Sequence, residues 1–268
     1  MINVFAMAFN DSLDNRTVSF ILFPRKPTLA NFAEVFKKYD ILRAYGITIF
    51  RTVIGAGLSV LLNAMYAYAL RKHDLIGRKW IMWFTVIPMY FGAGLIPFYT
   101  VLRALSLTNT VWVYILPYAI APFYIIVYRT FFAGVPDSIE ESARLDGAGV
   151  FRSFFSIMLP LSLPVVATIA LFAAVSQWND WFVGNTFVFS DKLWPMQTLL
   201  RYILNISQTK ELSSSLDTAA IISSGGSMIA AESIKMSMIV LTVVPILCVY
   251  PFLQRYFVTG IAVGSLKE

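Results

Sequence analysis

Charged residues, histidine and cysteine are all scarce in this 268-residue sequence. Only 13% of the residues are charged, about half the share that soluble domains carry. The single cysteine, Cys248, excludes an intrachain disulfide framework, and the single histidine, His73, lies in a basic loop where a solvated role is favoured over metal binding or catalysis. The chain has no G-x-x-x-x-G-K-[ST] loop and no Gly-Lys pair, so it is not predicted to bind ATP by that route.

Apolar residues dominate instead. They make up 58% of the chain, and the mean hydropathy is +0.70. This composition indicates lipid rather than water as the main solvent of the fold. The net charge of +6 does not indicate nucleic-acid binding, because the basic residues are scattered among apolar segments rather than gathered on one face.

Five stretches are long and apolar enough to cross a bilayer as helices, which takes roughly 20 residues each. Residues 1–9 look like the end of a sixth helix and have no basic start or cleavage site typical of a signal peptide. The sequence therefore predicts an all-α, polytopic membrane protein forming one domain over 1–268, with five complete transmembrane helices and the end of a sixth. The predicted spans are 44–70, 80–105, 110–132, 161–188 and 236–257.

Orientation follows from the distribution of positive charge. The loop 71–79 carries four basic residues in nine and is predicted to be cytoplasmic. Alternation then places 135–160 on the cytoplasmic side as well, with 10–43 and 189–235 outside. The serine-rich and glycine-rich parts of 189–235 are typical of a mobile segment, which either meets a partner or simply connects two spans.

The loop 135–160 has the pattern of a short helix, a sharp turn and a second amphipathic helix. Ser138 and Glu141 have the spacing of a capping box. Gly147 suits the position after a helix end, where the left-handed conformation favours glycine. Pro160 is predicted to end the second helix. Such an element is expected to project from the membrane and to transmit force.

This loop resembles a known family. Glu141-x-Ala143-x3-Gly147-x9-Ile157-x-Leu159-Pro160 is similar to the E-A-A-x3-G-x9-I-x-L-P signature of permease subunits in binding-protein-dependent ABC importers, with Ser142 in place of the second residue. Further segments resemble the carbohydrate-uptake branch, in particular the smaller permease of maltose-type systems and a subgroup associated with polysaccharide fragments. They are Asn31-Phe32, Ala67–Lys72, Gly94–Tyr99, Leu105–Thr110, Trp178-Asn179-Asp180 and Tyr250–Gly260.

The resemblance implies a multi-pass permease in the cytoplasmic membrane of a bacterium, translocating sugars or oligosaccharides by alternating access. It implies four partners: a second homologous permease, two ATPase subunits that bind ATP and Mg, and an extracytoplasmic solute-binding protein. The chain itself would be no enzyme and hold no cofactor or metal. The resemblance also implies that the loop docks on an ATPase, with Glu140 or Glu141 paired to a basic side chain there. The coupling residues would be Glu140, Glu141, Ala143, Asp146, Gly147, Ile157, Leu159 and Pro160.

Polar residues inside the spans are expensive against lipid and are therefore candidates for lining the translocation pathway. The alternative is that they join helices to one another or anchor tryptophans at the interface. Arg51, also within a span, is expected to face the protein interior or to reach outward. The pathway candidates are Asn63, Gln177, Trp178, Asn179, Asp180 and Trp181.

Three other functions are alternatives to this one. An intramembrane protease is disfavoured, because the spans offer only Asp180 as an interior aspartate and no histidine. A stand-alone secondary transporter would need its own coupling-ion site. An importer of amino acids or peptides would share the cytoplasmic signature, which by itself carries no information about cargo.

Overall fold

The computed structural model describes residues 1–16, 20–216 and 232–248, with side chains except at Arg16 and 208–216. The prediction of an all-α fold is confirmed for these residues, which form helices and no strand beyond an isolated bridge between Asn10 and Pro27. The helices are α1 (Ile2–Ala8), α2 (Ala30–Lys38), α3 (Ile41–Arg71), α4 (Arg78–Tyr90), α5 (Leu95–Ala104), α6 (Pro122–Ala133), α7 (Asp137–Leu145), α8 (Val150–Ser153), α9 (Leu159–Leu161), α10 (Leu163–Asn179), α11 (Phe182–Phe187), α12 (Met196–Leu216) and α13 (232–248).

Helix α3 contains the whole of the predicted span 44–70. Its 31 residues rise by about 46 Å, more than the roughly 30 Å of bilayer hydrocarbon. Among the described residues it is the one helix that is by itself long and apolar enough to cross a membrane. Two bent helix pairs raise the number of possible spans to three.

The other predicted spans are interrupted. Pro88 lies near the end of α4, and residues 91–94 separate α4 from α5, with Gly94 in the left-handed region at φ +82°. In 110–132, 3₁₀ turns precede α6 at a 45° bend. In 161–188, Asp180 and Trp181 separate α10 from α11. The predicted 236–257 lies partly outside the described residues, so the number of membrane crossings stays a prediction.

The chain divides into two compact units. The first comprises Met1–Thr48 and Asp180–Pro251, and the described part of the second is Ile49–Asn179. In the first unit α2, α3, α12 and α13 share a buried apolar cluster that includes Val35, Met196 and Met238. Thr48 accepts a hydrogen bond from the backbone N–H of Met196 at 2.9 Å.

Parts of both predicted external segments, 10–43 and 189–235, lie in this unit. The serines 213–215 belong to α12 and Ser223–Ser227 lie outside the described residues, so the mobility of this segment stays a prediction. In 10–43, Asn31 lies at the start of α2 and donates to the backbone oxygens of Ala8 and Asn10 at 3.0 and 2.8 Å. Its amide therefore joins α2 to the chain that follows α1.

In the second unit, α3, α6 and α10 share one core. Ala64, Tyr68, Tyr128, Phe132 and Ile169 are all buried in it, and Phe154 from the loop 135–160 joins them. Small residues at Ala64 and Ala67 allow α3 to approach its neighbours closely. The loop is therefore packed onto the spanning helices rather than tethered to them by a flexible strand.

Candidate functional site

Helix α7 forms the first half of the loop 135–160, as predicted, but it begins without a capping box. Pro136 is the N-cap residue and no side chain caps the helix, because the helix starts at Asp137 and Ser138 already lies inside it. The hydroxyl of Ser142 donates to the Ser138 backbone oxygen instead. Asp137 and Glu140 lie in the first turn, where their negative charge interacts favourably with the positive end of the helix dipole.

The turn after α7 is the glycine-dependent turn that the sequence predicted. Gly147 has φ +81°, in the left-handed region. Its N–H donates to the Arg144 oxygen at 3.0 Å, and the N–H of Ala148 donates to the Ala143 oxygen at 2.9 Å. These two bonds are those of a Schellman motif, which satisfies the last carbonyls of the helix. The end of α7 is thus a fixed turn.

The second half of the loop differs from the prediction in where it ends. Helix α8 continues through a π turn, Phe154–Met158, into α9, which contains Pro160. The break comes at Ser162, where the chain bends by 84° into α10. A proline removes one backbone donor, and the wider π turn just before it accommodates that loss. The prediction that Pro160 ends the helix is therefore wrong by two residues.

Glu140 faces its own chain and is only 8% exposed. Its carboxylate accepts from the Tyr68 hydroxyl at 2.7 Å and from Arg71 Nη1 at 3.2 Å, and it also pairs with Lys72. Arg144, one turn further along α7, lies 3.4 Å away. Both carboxylate oxygens of Glu140 are thus paired inside this chain. Pairing of Glu140 with a partner subunit stays a prediction.

Arg71 completes this ion cluster. Its Nη2 donates to Asp137 at 2.5 Å and to the backbone oxygen of Val135 at 2.7 Å. The cluster therefore ties the first turn of α7 to the last residue of α3. Burial, and then repulsion by Arg144 and Arg71, lowers the pKa of Lys72 to about 8. Tyr68, Arg71 and Lys72 were not predicted as site residues, although a basic pair at the end of an apolar span, opposite an acidic loop, was a usable signal.

The remaining residues of the predicted coupling set divide into an exposed group and a half-buried group. Glu141, Asp146, Gly147 and Pro160 are exposed, and Leu145 between them is 90% exposed. Ala143, Ile157 and Leu159 are half-buried. The tip of α7 therefore presents a carboxylate and a large apolar side chain together, while Ile157 and Leu159 are partly covered by the fold.

Asn63 is fully buried and is used to join helices. Its amide nitrogen donates to the backbone oxygens of Ser59 and Ala119 at 2.6 and 2.9 Å, and its oxygen accepts from the N–H of Ala121 at 2.8 Å. Residues 119–121 lie at the break before α6, where backbone groups lose their helical partners. Asn63 supplies those partners.

Gln177 is buried beside Arg51. The Arg51 Nε donates to Gln177 Oε1 at 3.0 Å, the Gln177 amide donates to the Tyr114 oxygen at 3.1 Å, and the guanidinium lies 4.4 Å from the centre of the Tyr114 ring. Arg51 is 1% exposed, so it faces the protein interior, one of its two expected positions. Gly55 lies against Gln177, because a Cβ there would come within 2.8 Å of its Nε2.

The other four pathway candidates do not form one cluster. The indole N–H of Trp178 is buried without a hydrogen-bond partner among the described residues, and Asn179 is exposed at the end of α10. Asp180 accepts from the backbone N–H groups of Phe182 and Val183 and so caps α11. Trp181 lies under Arg201, whose guanidinium is 4.8 Å from the ring centre.

A family model described as a binding-protein-dependent transport system inner membrane component matches residues 54–263. This chain belongs to that family. The match includes the loop 135–160 and all six pathway candidates. As a member of the family it is a membrane protein and a transport permease subunit rather than an enzyme, which agrees with the prediction.

Sequences of individual permeases align with nearly the whole chain. It is 38% identical to the polygalacturonan/rhamnogalacturonan transport system permease protein YtcP of Bacillus subtilis (strain 168), over 99% of this chain and 91% of that protein. It is 38% identical to Protein LplC of the same organism, over 93% and 82%. It is 27% identical to the arabinooligosaccharides transport system permease protein AraQ of Halalkalibacterium halodurans, over 100% and 90%.

A solved structure of the same type matches the fold. A chain of a bacterial ABC transporter involved in the import of the acidic polysaccharide alginate superposes with a TM-score of 0.82 at 27% identity, covering 96% of this chain and 89% of that one. Sequence and structure relatives therefore agree on the sugar-importing branch that the resemblance indicated.

Proposed function

We propose that this chain is the permease subunit of an ATP-driven importer that moves sugars or oligosaccharides across the cytoplasmic membrane of a bacterium by alternating access. The observation that carries the proposal is the ion cluster beneath α7. A helix that ends in a Schellman turn and is joined through Glu140 to the end of α3 can pass a displacement to a spanning helix. A flexible loop would absorb the same displacement.

In this mechanism α7 docks on an ATPase subunit with its exposed side. Glu141 pairs with a basic side chain of the ATPase, and Leu145 enters an apolar depression beside it. Glu140 has a different part, because it holds α7 to its own chain. When the two ATPase subunits close on ATP and Mg, α7 moves with them and the Arg71 end of α3 follows.

The other proposed partners follow from the family. A second, related permease completes the pathway across the membrane, and an extracytoplasmic solute-binding protein delivers cargo to it. The relatives name polygalacturonan, rhamnogalacturonan, arabinooligosaccharides and alginate, and these names support an oligosaccharide rather than an amino acid or a peptide as cargo.

The pathway candidates differ in whether their side chains are already bonded within the protein or remain exposed. Asn63 and Gln177 use their amides to join backbone and side chains within the second unit, so we assign them to helix packing. Asn179 and Trp181 each keep exposed surface, and amide groups and aromatic faces are both groups that can bind sugars. We propose these two as substrate contacts.

The test is transport by the complete complex in vesicles. Glu141→Lys is expected to abolish both ATP-dependent sugar uptake and substrate-stimulated ATP hydrolysis, because like charges at an interface cost several kcal/mol. Glu34→Lys, the same reversal at an exposed acid of α2, is the matched control and should keep both activities. Wild-type activity in Glu141→Lys would reject the coupling role. Sugar uptake without any ATPase subunit would favour a stand-alone secondary transporter.

The orientation of α7 is testable separately, because Cys248 is the single cysteine. In a Cys248→Ala background, Leu145→Cys should react with an impermeant maleimide only from the cytoplasmic side, since Leu145 is 90% exposed. Labelling only from the outer side would contradict the proposal.

A further inference from the structure

A second cluster of positive charge lies at the same end of α3, outside the ion cluster of α7. Helices α4 and α6 pack against each other, and next to Leu70 they line an open cavity of about 500 Å³. Three of the lining residues are cations, Arg78, Lys79 and Arg129, and no acidic residue lines the cavity. The remaining walls are apolar and comprise Leu70, Met82, Trp83 and Val86.

The three cations are not explained by contacts within the described part of the chain. Arg78 Nη1 lies 3.1 Å from His73 Nδ1, and neither Lys79 nor Arg129 forms an ion pair with any residue that the structure describes. Arg78 and Lys79 are the first two residues of α4, where a positive charge opposes the helix dipole. Local helix stability therefore disfavours this arrangement, and a bound anion would relieve the repulsion.

The apolar walls continue the cavity along α4 away from the charges. Met82, Trp83 and Val86 follow the basic residues by one to two helical turns, about 5 Å per turn. The neighbouring surface of α4 is also apolar, since Trp80 is 79% and Phe84 82% exposed. A ligand that fits has an anionic head at the start of α4 and a hydrocarbon part beside it.

We propose that this cavity binds one anionic phospholipid, with its phosphate facing Arg78, Lys79 and Arg129 and an acyl chain along Trp83. Basic pockets between membrane helices on the cytoplasmic side are suited to anionic headgroups. Placing the lipid in the cytoplasmic leaflet rests on the proposed function, because that function sets the orientation of the loop 71–79. The charge and shape of the cavity do not depend on it.

The experiment uses the complete wild-type complex in phosphatidylcholine nanodiscs containing a small fraction of photoactivatable phosphatidylglycerol or photoactivatable phosphatidylcholine. Labelling of the α4 and α6 peptides is measured by mass spectrometry. Phosphatidylglycerol is expected to label them in preference to phosphatidylcholine. Lys79→Gln and Arg129→Gln should each lower that preference about fivefold. Arg103→Gln, an exposed cation of α5, should leave it unchanged.

Three results would overturn the site. They are equal labelling by the two lipids, a preference that both variants retain, and labelling of the α4 and α6 peptides by neither lipid. Competition by soluble glycerol phosphate would identify a free-phosphate site and would also reject the lipid. Substrate-stimulated ATP hydrolysis measured on the same nanodiscs reports separately on the proposed function, so its loss would leave the lipid preference intact.

Discussion

Arg71 is the last residue of the long spanning helix α3, and its guanidinium binds the first turn of α7. Nη1 lies 3.2 Å from Glu140 and Nη2 lies 2.5 Å from Asp137. Arg71 and Glu140 are both 8% exposed, whereas the Asp137 side chain is 67% exposed. The two carboxylates therefore form the same kind of bond in different dielectric surroundings, and this difference is open to measurement.

Glu140→Gln should destabilise the complex strongly. Removing this charge leaves Arg71, Lys72 and Arg144 close together with one fewer carboxylate, and breaking a buried ion pair costs about 3 kcal/mol or more. We expect a lower midpoint of thermal unfolding in detergent and weaker coupling of ATP hydrolysis to uptake. Asp137→Asn is the matched control and should cost about 1 kcal/mol or less, because exposed pairs contribute little. Equal losses in the two variants would contradict the importance of burial.

Gly147→Ala should weaken coupling through the backbone alone. A Cβ at this position meets no atom within 4 Å, but φ +81° costs a non-glycine residue about 1–2 kcal/mol. The expected result is lower substrate-stimulated ATPase activity with the complex still assembled. Gly149→Ala has equal space and φ −72°, and should behave like wild type. If both variants lost activity alike, the left-handed turn would not be the cause.

Gly55→Ala should disturb the buried arginine of α3. The new Cβ displaces Gln177, which then loses its bond to Arg51 or to Tyr114, and a buried polar group without its partner costs about 1–3 kcal/mol. A lower unfolding midpoint of the complex is expected. Gly57→Ala, two residues along the same helix, meets no atom within 4 Å and should be neutral or slightly stabilising. An unchanged midpoint in Gly55→Ala would mean that Gln177 moves at no cost.

Lys72 should make stability depend on pH in the alkaline range. Its pKa is about 8 in the fold against 10.5 ordinarily, chiefly because of burial. Between these values the unfolded chain binds more protons at Lys72 than the fold does, so stability rises with pH through this window. Lys72→Met removes this contribution. At each pH the unfolding midpoint of the variant is compared with that of wild type. The variant-minus-wild-type difference should decrease as the pH rises from about 7 to about 10. A difference that stays level or increases would contradict the lowered pKa of Lys72.

Several features of this protein follow from local chemistry and were predictable. A long apolar run predicts a helix wherever the solvent is lipid, as in α3. The turn at Gly147 was predictable as well, because a left-handed residue after a helix is a local requirement. The importer family was indicated by spaced residues within one loop, and the family match includes them.

The breaks in the predicted spans were not predictable from hydropathy. An apolar run has the same composition whether its helix continues or bends, and the bend before Pro122 comes with a side-chain partner elsewhere in the chain. Asn63 is such a partner, since it satisfies backbone groups 56 residues away. Its amide was indistinguishable in sequence from one that meets substrate.

The sequence by itself determined the membrane environment, the helical fold class, the glycine turn of the loop 135–160 and the importer family, because each depends on composition or on residues close together in the chain. Only the tertiary structure decided between the two adjacent glutamates of α7. Successive helical residues point about 100° apart, so Glu140 is directed towards Arg71 of its own chain while Glu141 is left exposed. Which of two neighbours is buried depends on what packs against the helix, and that contact joins residues nearly 70 positions apart.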